Sequence, residues 1–178
     1  MAIHAAIRRG DLQAEIACVV SNVEEAPGLA YARAAGLPAI SLPSQGRDRI
    51  EYDRLLAATL EPCAPALVCL AGFMRILSPA FLDHYRGRVL NIHPSLLPSF
   101  PGLHAQRQAL EHGVRISGCT VHLVDAGMDT GPILLQKAVE VLAGDTEETL
   151  SARILEQEHQ LYWRAIGLVL DRQVQTRR

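Results

Sequence analysis

The sequence predicts an α/β protein with a mostly parallel sheet, flanking helices and an antiparallel strand pair near the C-terminus. Short apolar runs alternate with longer amphipathic runs up to residue 113, and such strand–helix units build parallel sheets with right-handed crossovers. Residues 66–71 are almost purely apolar, as is typical of a central parallel strand. Two later runs, 118–124 and 132–141, are separated by seven residues, which favours loop-joined antiparallel pairing.

The helices are predicted from apolar residues three or four positions apart and from the residues that stop them. Gly10, Gly36 and Gly113 each follow such a run and are expected to end it. Asp145 and Glu148 resemble a capping box that opens the last helix. The earlier helices are expected at 1–9, 26–35, 49–60, 80–85 and 105–112.

The strands are predicted from short apolar runs that end at polar or turn-forming residues. The first such run stops at Ser21 and Asn22, and the fourth leads into a loop rich in proline. The strands are expected at 15–20, 38–42, 66–71, 89–92, 118–124 and 132–141.

Length and composition favour one globular domain. The chain has 178 residues, of which 49% are hydrophobic and 20% charged, so it can bury a sizeable core. We expect a single domain over 1–178, with a frayed polar tail at 171–178.

Charge and cysteine content narrow the class of protein. Lys and Arg number 17 against 19 Asp and Glu, so no basic excess points to nucleic acid, and no apolar run is long enough to suggest a membrane span. The four cysteines lack metal-ligand spacing, which predicts buried free thiols and no metal site. We expect a cytoplasmic protein that acts on small molecules.

The most informative segment is the strand end at Asn91 and His93. These residues are two positions apart, so their side chains point to the same side of a sheet, and a loop with three prolines follows at 94–101. An amide and an imidazole held by a stiff loop suit carbonyl chemistry, because both can donate hydrogen bonds to a developing oxyanion. For an arbitrary Asn-x-His, a capping Asn and a partly buried His would be the alternative interpretation, and the stiff loop favours a functional one.

Asp129, Thr120 and His122 could complete this site. An aspartate near His93 would favour the imidazolium form, although Asp129 on its own also fits a turn residue. Thr120 and His122 share one face of a predicted strand, and His122 is expected to support the site rather than to catalyse.

Several segments resemble the enzymes that take a formyl group from 10-formyltetrahydrofolate. The run His-Pro-Ser-Leu-Leu-Pro at 93–98, with Gly102, is similar to their shared signature. Segments 71–78, 102–104, 120–124, 128–133 and 157–159 are similar to the branch that formylates glycinamide ribonucleotide in purine synthesis, the phosphoribosylglycinamide formyltransferases. The resemblance extends from about Cys18 to Leu170 and implies their Rossmann-like fold.

The resemblance implies that Asn91, His93 and Asp129 form a catalytic trio. The amine of glycinamide ribonucleotide would attack the formyl carbon directly, while Asn91 and protonated His93 stabilise the tetrahedral oxyanion. Asp129 would keep His93 charged and help to move a proton from the amine to the departing folate nitrogen.

The resemblance also implies binding residues for the two small-molecule partners, the folate co-substrate 10-formyltetrahydrofolate and the ribonucleotide. No metal is implied, and the protein would be a monomer or a homodimer. The folate-binding residues would be Arg49, Met74, Arg75, Ile76, Leu77, Asn91, Asp125, Ala126, Gly127, Met128 and Asp129. The ribonucleotide-binding residues would be Leu155, Glu156, Gln157 and Glu158.

The beginning of the sequence differs from the family pattern. Residues 1–9 resemble the helix that normally follows a first strand and a phosphate-binding loop. Either a downstream Met has been taken as the start of a longer chain, or the protein is short and lacks that strand and loop. In the second case we expect weak binding of the ribonucleotide.

Three alternatives share parts of the pattern. A formyltetrahydrofolate hydrolase would use water in place of the amine, but it usually carries a regulatory domain. A methionyl-tRNA formyltransferase would need a basic surface, which the near-neutral charge argues against. A folate-binding or inactive remnant would keep the fold without turnover.

Overall fold

The computed structural model describes residues 1–176, with side chains up to Arg172, and contains six helices and six strands in that part of the chain. A short 3₁₀ turn at Glu61–Cys63 follows the third helix. The elements are α1 (Ala2–Arg9), β1 (Val19–Ser21), α2 (Pro27–Ala34), β2 (Ala39–Ser41), α3 (Arg49–Leu60), β3 (Val68–Leu70), α4 (Pro79–His84), β4 (Val89–His93), α5 (Ala105–Glu111), β5 (Ile116–Leu123), β6 (Ile133–Glu140) and α6 (Glu147–Thr176).

The chain forms two compact units. The first contains Met1–Ala66 and Leu77–Arg86, and the second contains Leu67–Ile76 and the chain from Gly87 onward. That the whole chain acts as a single domain stays a prediction.

The first unit is built on a parallel pair of short strands. β1 and β2 pair in register from Val19 opposite Ala39 to Ser21 opposite Ser41, and α2 connects them. Its core includes the fully buried side chains of Leu29 and Tyr52. α3 and α4 are joined where the carboxylate of Asp53, which is 2% exposed, accepts a hydrogen bond from the Ser78 N–H.

The second unit is built on a four-stranded mixed sheet with the strand order β3-β4-β5-β6. β3 and β4 run parallel, whereas β5 is antiparallel to both of its neighbours, β4 and β6. The long helix α6 packs on this sheet through its fully buried Leu150 and Ile154.

Tyr162 anchors α6 to the two parallel strands. Its hydroxyl lies 2.7 Å from the carbonyl oxygen of Leu70 and 3.0 Å from that of Leu90. Burial raises the pKa of Tyr162 well above its ordinary value, so the hydroxyl stays a donor. A single O–H is therefore shared between carbonyl groups of neighbouring strands.

The predicted α/β class is confirmed, with some differences in detail. α3 has the predicted bounds, and the other elements differ by a few residues at their ends. The first strand covers only Val19–Ser21, because it forms a three-residue ladder with β2. The antiparallel part of the sheet begins one strand earlier than expected, since β4 already pairs antiparallel with β5.

The predicted capping box at Asp145 and Glu148 is wrong by one residue. Thr146 caps α6 instead: its hydroxyl accepts from the Thr149 N–H at 3.3 Å, and its own N–H donates to the Thr149 hydroxyl at 2.9 Å. The carboxylate of Asp145 is used elsewhere, because it accepts two hydrogen bonds from Arg153, each of 2.8 Å.

The cysteines are free thiols, but fewer are buried than expected. Only Cys119 is fully buried, whereas Cys18, Cys63 and Cys69 are partly exposed. Burial, with a hydrogen bond to Cys63, raises the pKa of Cys18 to about 12, so this thiol is protonated at neutral pH.

The C-terminal helix is described as far as Thr176. Fraying of the tail at 171–178 stays a prediction, and its last two residues lie outside the described part of the chain. Among the described helices, none has the length and apolar character needed to span a membrane.

We predict that Tyr162→Phe lowers the free energy of unfolding by about 1–3 kcal/mol, because buried carbonyl groups lose their donor. Urea denaturation measures the change. Tyr31→Phe is the matched control, since the Tyr31 hydroxyl bonds to His4 in a partly exposed position where water can replace it. Equal losses in the two variants would contradict the anchoring role.

We predict that Asp145 contributes stability that is lost in acid. Arg153, and then the Leu142 N–H, hold the pKa of Asp145 well below its ordinary value of about 3.9. The contribution is therefore complete above about pH 5 and declines as the pH falls through 4 towards the folded-state value. Denaturation from pH 7 to pH 3 should show the difference between the wild type and Asp145→Asn shrinking. Glu24→Gln, at an exposed position, should show no such trend.

Candidate active site

Asn91 and His93 lie at the end of β4 in the second unit, as predicted. Asn91 is partly exposed, whereas His93 is 5% exposed. β4 pairs with β5 so that Asn91 is opposite His122 and His93 is opposite Thr120. The antiparallel register therefore brings the four predicted polar residues together at one strand end.

The loop that follows β4 is fixed by the hydroxyl of Thr120, which is completely buried. This hydroxyl donates to the Ser95 carbonyl at 2.7 Å and accepts from the Leu97 N–H at 3.0 Å. The Gln136 amide donates to the Leu97 carbonyl at 2.9 Å and to the Thr120 hydroxyl at 3.0 Å. All three hydrogen-bonding positions of the hydroxyl are thus used.

The same loop returns to the end of β4 through Phe100 and Gly102. Phe100 has a φ of 53°, and its carbonyl oxygen lies 2.8 Å from Nε2 of His93. The N–H of Gly102 donates to Oδ2 of Asp129 at 2.8 Å. A short main-chain segment therefore contacts both His93 and Asp129.

Asp129 occupies a tight turn between β5 and β6. Its φ is 56°, and Oδ1 of Asp125 accepts from the Gly127 N–H at 3.0 Å and from the Thr130 hydroxyl at 2.8 Å. At Gly131, a Cβ atom would collide with the carbonyl oxygen of Leu123, so this position requires glycine. The turn is thus closely determined, and it fixes where the carboxylate of Asp129 lies.

The two ring nitrogens of His93 have different partners. Nε2 faces the carbonyl oxygen of Phe100, which can only accept, so Nε2 carries a proton. Nδ1 lies 3.3 Å from Oδ2 of Asp129, a carboxylate that also acts as an acceptor. Both ring nitrogens therefore face acceptors, an environment that suits the imidazolium ion.

The other predicted folate residues fall into two groups. Met74, Ile76 and Met128 belong to the second unit and are 76%, 49% and 55% exposed. Arg49 opens α3 in the first unit, and Leu77 is buried in that unit's core. A folate contact stays a prediction for every one of the predicted folate residues.

The predicted ribonucleotide residues lie on one stretch of α6. Leu155 is 47% exposed and Glu156 is exposed, whereas Gln157 and Glu158 are partly covered. Burial raises the pKa of Glu158 above its ordinary value. A partly covered carboxylate of this kind can accept hydrogen bonds from hydroxyl groups.

Three contacts at the site were not predicted from the sequence. They come from the carbonyl of Phe100, the N–H of Gly102 and the side chain of Gln136. Gln136 offered a weak signal, as a polar residue within the mostly apolar start of β6, while the main-chain groups offered none. Within the described residues, no cluster of three His, Cys, Asp or Glu side chains is arranged to hold a metal ion.

Comparisons with known proteins identify the family of this chain. A family model described as formyl transferase matches residues 1–166. Phosphoribosylglycinamide formyltransferase of Escherichia coli K12 is 49% identical over 162 residues, which are 90% of this chain and 76% of that protein. The trifunctional purine biosynthetic protein adenosine-3 of Drosophila pseudoobscura pseudoobscura is 51% identical over 157 residues. These residues are 88% of this chain but only 12% of that much longer protein.

A solved structure supports the same assignment. The crystal structure of glycinamide ribonucleotide transformylase 1 from Symbiobacterium toebii matches with a TM-score of 0.91 and 50% sequence identity, over 94% of this chain and 79% of that one. The family model covers most of the sequence, and the fold agrees over nearly all of it. The chain therefore belongs to the formyl transferase family.

Proposed function

We propose that this protein transfers a formyl group from 10-formyltetrahydrofolate to the amine of glycinamide ribonucleotide, a step of purine synthesis. The observation that carries the proposal is the grouping of Asn91, His93 and Asp129 at one strand end, within hydrogen-bonding or ion-pairing reach of shared partners. The relatives named above support the choice of acceptor, since their names specify formyl transfer to glycinamide ribonucleotide.

The reaction needs stabilisation of one oxyanion and transfer of one proton. The lone pair of the amine forms a bond to the formyl carbon, and the π electrons of the C=O bond move to oxygen. When the carbonyl re-forms, the bond to the folate nitrogen breaks. The amine loses one proton and the folate nitrogen gains one, so that no oxidant, reductant or metal is required by the balance.

Asn91 is the direct donor to the oxyanion in this proposal. Nδ2 of Asn91 lies 3.3 Å from Nε2 of His122. This contact uses one of the two N–H groups of the Asn91 amide. The second N–H has no partner among the described residues and can therefore bond to the developing negative charge. Preorganised donors of this kind act without reorganisation at the moment of reaction.

His93 and Asp129 supply charge and a proton path. Because both N–H groups of His93 face protein acceptors in this structure, its contribution to the oxyanion is that of a nearby positive charge. Asp129 pairs with that charge and, at 14% exposure, remains open to a proton carried by the amine or by water.

The two substrates would use the binding residues predicted from the sequence. The exposed apolar side chains of Met74, Ile76 and Met128 suit a flat aromatic ring such as the pterin, with the 125–129 turn at its edge. Leu155 to Glu158 on α6 would approach the ribonucleotide. We further propose that the protein is cytoplasmic, binds neither nucleic acid nor membranes, and is a monomer or a homodimer.

We predict that Asn91→Ala and His93→Ala each lower kcat for formyl transfer by about 10²–10³-fold, the usual effect of removing one oxyanion-stabilising group. The assay follows tetrahydrofolate formation with glycinamide ribonucleotide as the acceptor. His4→Gln is the control, because His4 lies in the first unit, where it bonds to Tyr31. Undiminished turnover in His93→Ala would remove His93 from the mechanism.

The same assay separates the alternatives. Formate released at equal rates with and without ribonucleotide would favour a hydrolase, in which water replaces the amine. Folate binding without either product would indicate a binding remnant. Transfer that requires the ribonucleotide supports the proposed reaction.

A further inference from the structure

We propose that His122 is a positioning residue, which in its neutral form, protonated on Nδ1, orients the amide of Asn91 for the reaction. The inference rests on the proposed function for its kinetic consequences, but the form of the ring is defined by contacts alone. His122 is 2% exposed and lies directly opposite Asn91 in the β4–β5 ladder.

The proton of His122 is located by its contact with the main chain. Nδ1 lies 2.9 Å from the carbonyl oxygen of Leu123, and a carbonyl oxygen has no proton to give. Nδ1 must therefore be the donor. A neutral His122 then has a bare lone pair on Nε2.

That lone pair determines which end of the Asn91 amide faces the ring. Nε2 is 3.3 Å from Nδ2 of Asn91, a distance at which a donor is required opposite the lone pair. If the amide oxygen of Asn91 took the place of Nδ2, its lone pair would face the lone pair of Nε2, and the two groups would repel each other. The amino group of Asn91 is thus held towards His122, and its second N–H keeps a fixed direction.

The surroundings of His122 favour the neutral ring. The nearest carboxylate oxygen, Oδ1 of Asp129, is 3.6 Å from Nε2, which is beyond hydrogen-bonding distance. Asp129 already pairs with His93 and accepts from the Gly102 N–H. If His122 were also protonated, it would be a second buried cation near His93, and the two like charges would repel each other. The single carboxylate of Asp129 would then have to balance both rings.

The backbone is also irregular at this position. The β5–β6 ladder pairs Val121 with Leu135 but His122 with Ile133, so the register shifts between Val121 and His122. The shift leaves Leu134 of β6 without an opposite residue, and irregularities of this kind occur often beside active sites. The fold therefore departs from a regular ladder where the His122 ring must meet Asn91.

The experiment compares His122→Gln with His122→Leu in the formyl-transfer assay. The side-chain oxygen of Gln can accept from Asn91 where Nε2 did, whereas Leu leaves the amide without a partner. We expect kcat to fall about tenfold in His122→Leu with little change in KM, and to remain within about threefold of the wild type in His122→Gln. Equal losses in the two variants would overturn the proposal.

A double-mutant cycle tests whether His122 acts through Asn91. In an Asn91→Ala background, His122→Leu should cause no further loss of kcat, because the amide that it positions is gone. A merely structural role would lower kcat by the same factor in both backgrounds, and that result would reject the proposal.

A spectroscopic readout decides the question without turnover. Nitrogen NMR of the wild-type protein at neutral pH should show His122 with a protonated Nδ1 and a bare Nε2. A proton on Nε2 would overturn the proposal, whatever the variants do. If the wild type shows no formyl transfer, the proposed function fails, while this spectrum still supports or rejects the assigned form of the ring.

Discussion

The carboxylate of Asp129 is the group on which the arrangement of the site depends. One oxygen accepts from the Gly102 N–H and pairs with His93, and the other faces His122 at 3.6 Å. These contacts connect the β5–β6 turn to the loop after β4. Within the described chain, no β-ladder joins that turn to that loop. The positive φ of Asp129 and the glycine at position 131 place the carboxylate, while the Thr120 hydroxyl fixes the opposing loop.

We propose that two histidines a few ångströms from one carboxylate take different forms because their remaining partners differ. His93 has an acceptor at each nitrogen, whereas His122 has an acceptor at Nδ1 and the donor of Asn91 at Nε2. In the proposed mechanism the site combines one cation, one anion and one oriented amide, which is a suitable set for an oxyanion that forms while a proton moves. Hydrogen-bonding partners, more than residue type, assign the roles.

Much of the fold and part of the candidate site could be predicted from the sequence, because hydrophobic periodicity and turn chemistry depend on residues close together in the chain. α3 was predicted residue for residue, and the two-residue spacing of Asn91 and His93 correctly placed them at one strand end. The capping box was misplaced because Arg153, eight residues from Asp145, takes up that carboxylate. The carbonyl of Phe100 and the N–H of Gly102 left no signal, since every residue has such groups and only the folded loop aims them.

The proposed mechanism requires that the folded chain holds His93 as an imidazolium ion between Phe100 and Asp129. Nitrogen NMR of the His93 ring at neutral pH, in the protein without substrates, tests this most directly. Both ring nitrogens should be protonated in the wild type. A bare Nδ1 or Nε2 on His93 would contradict it.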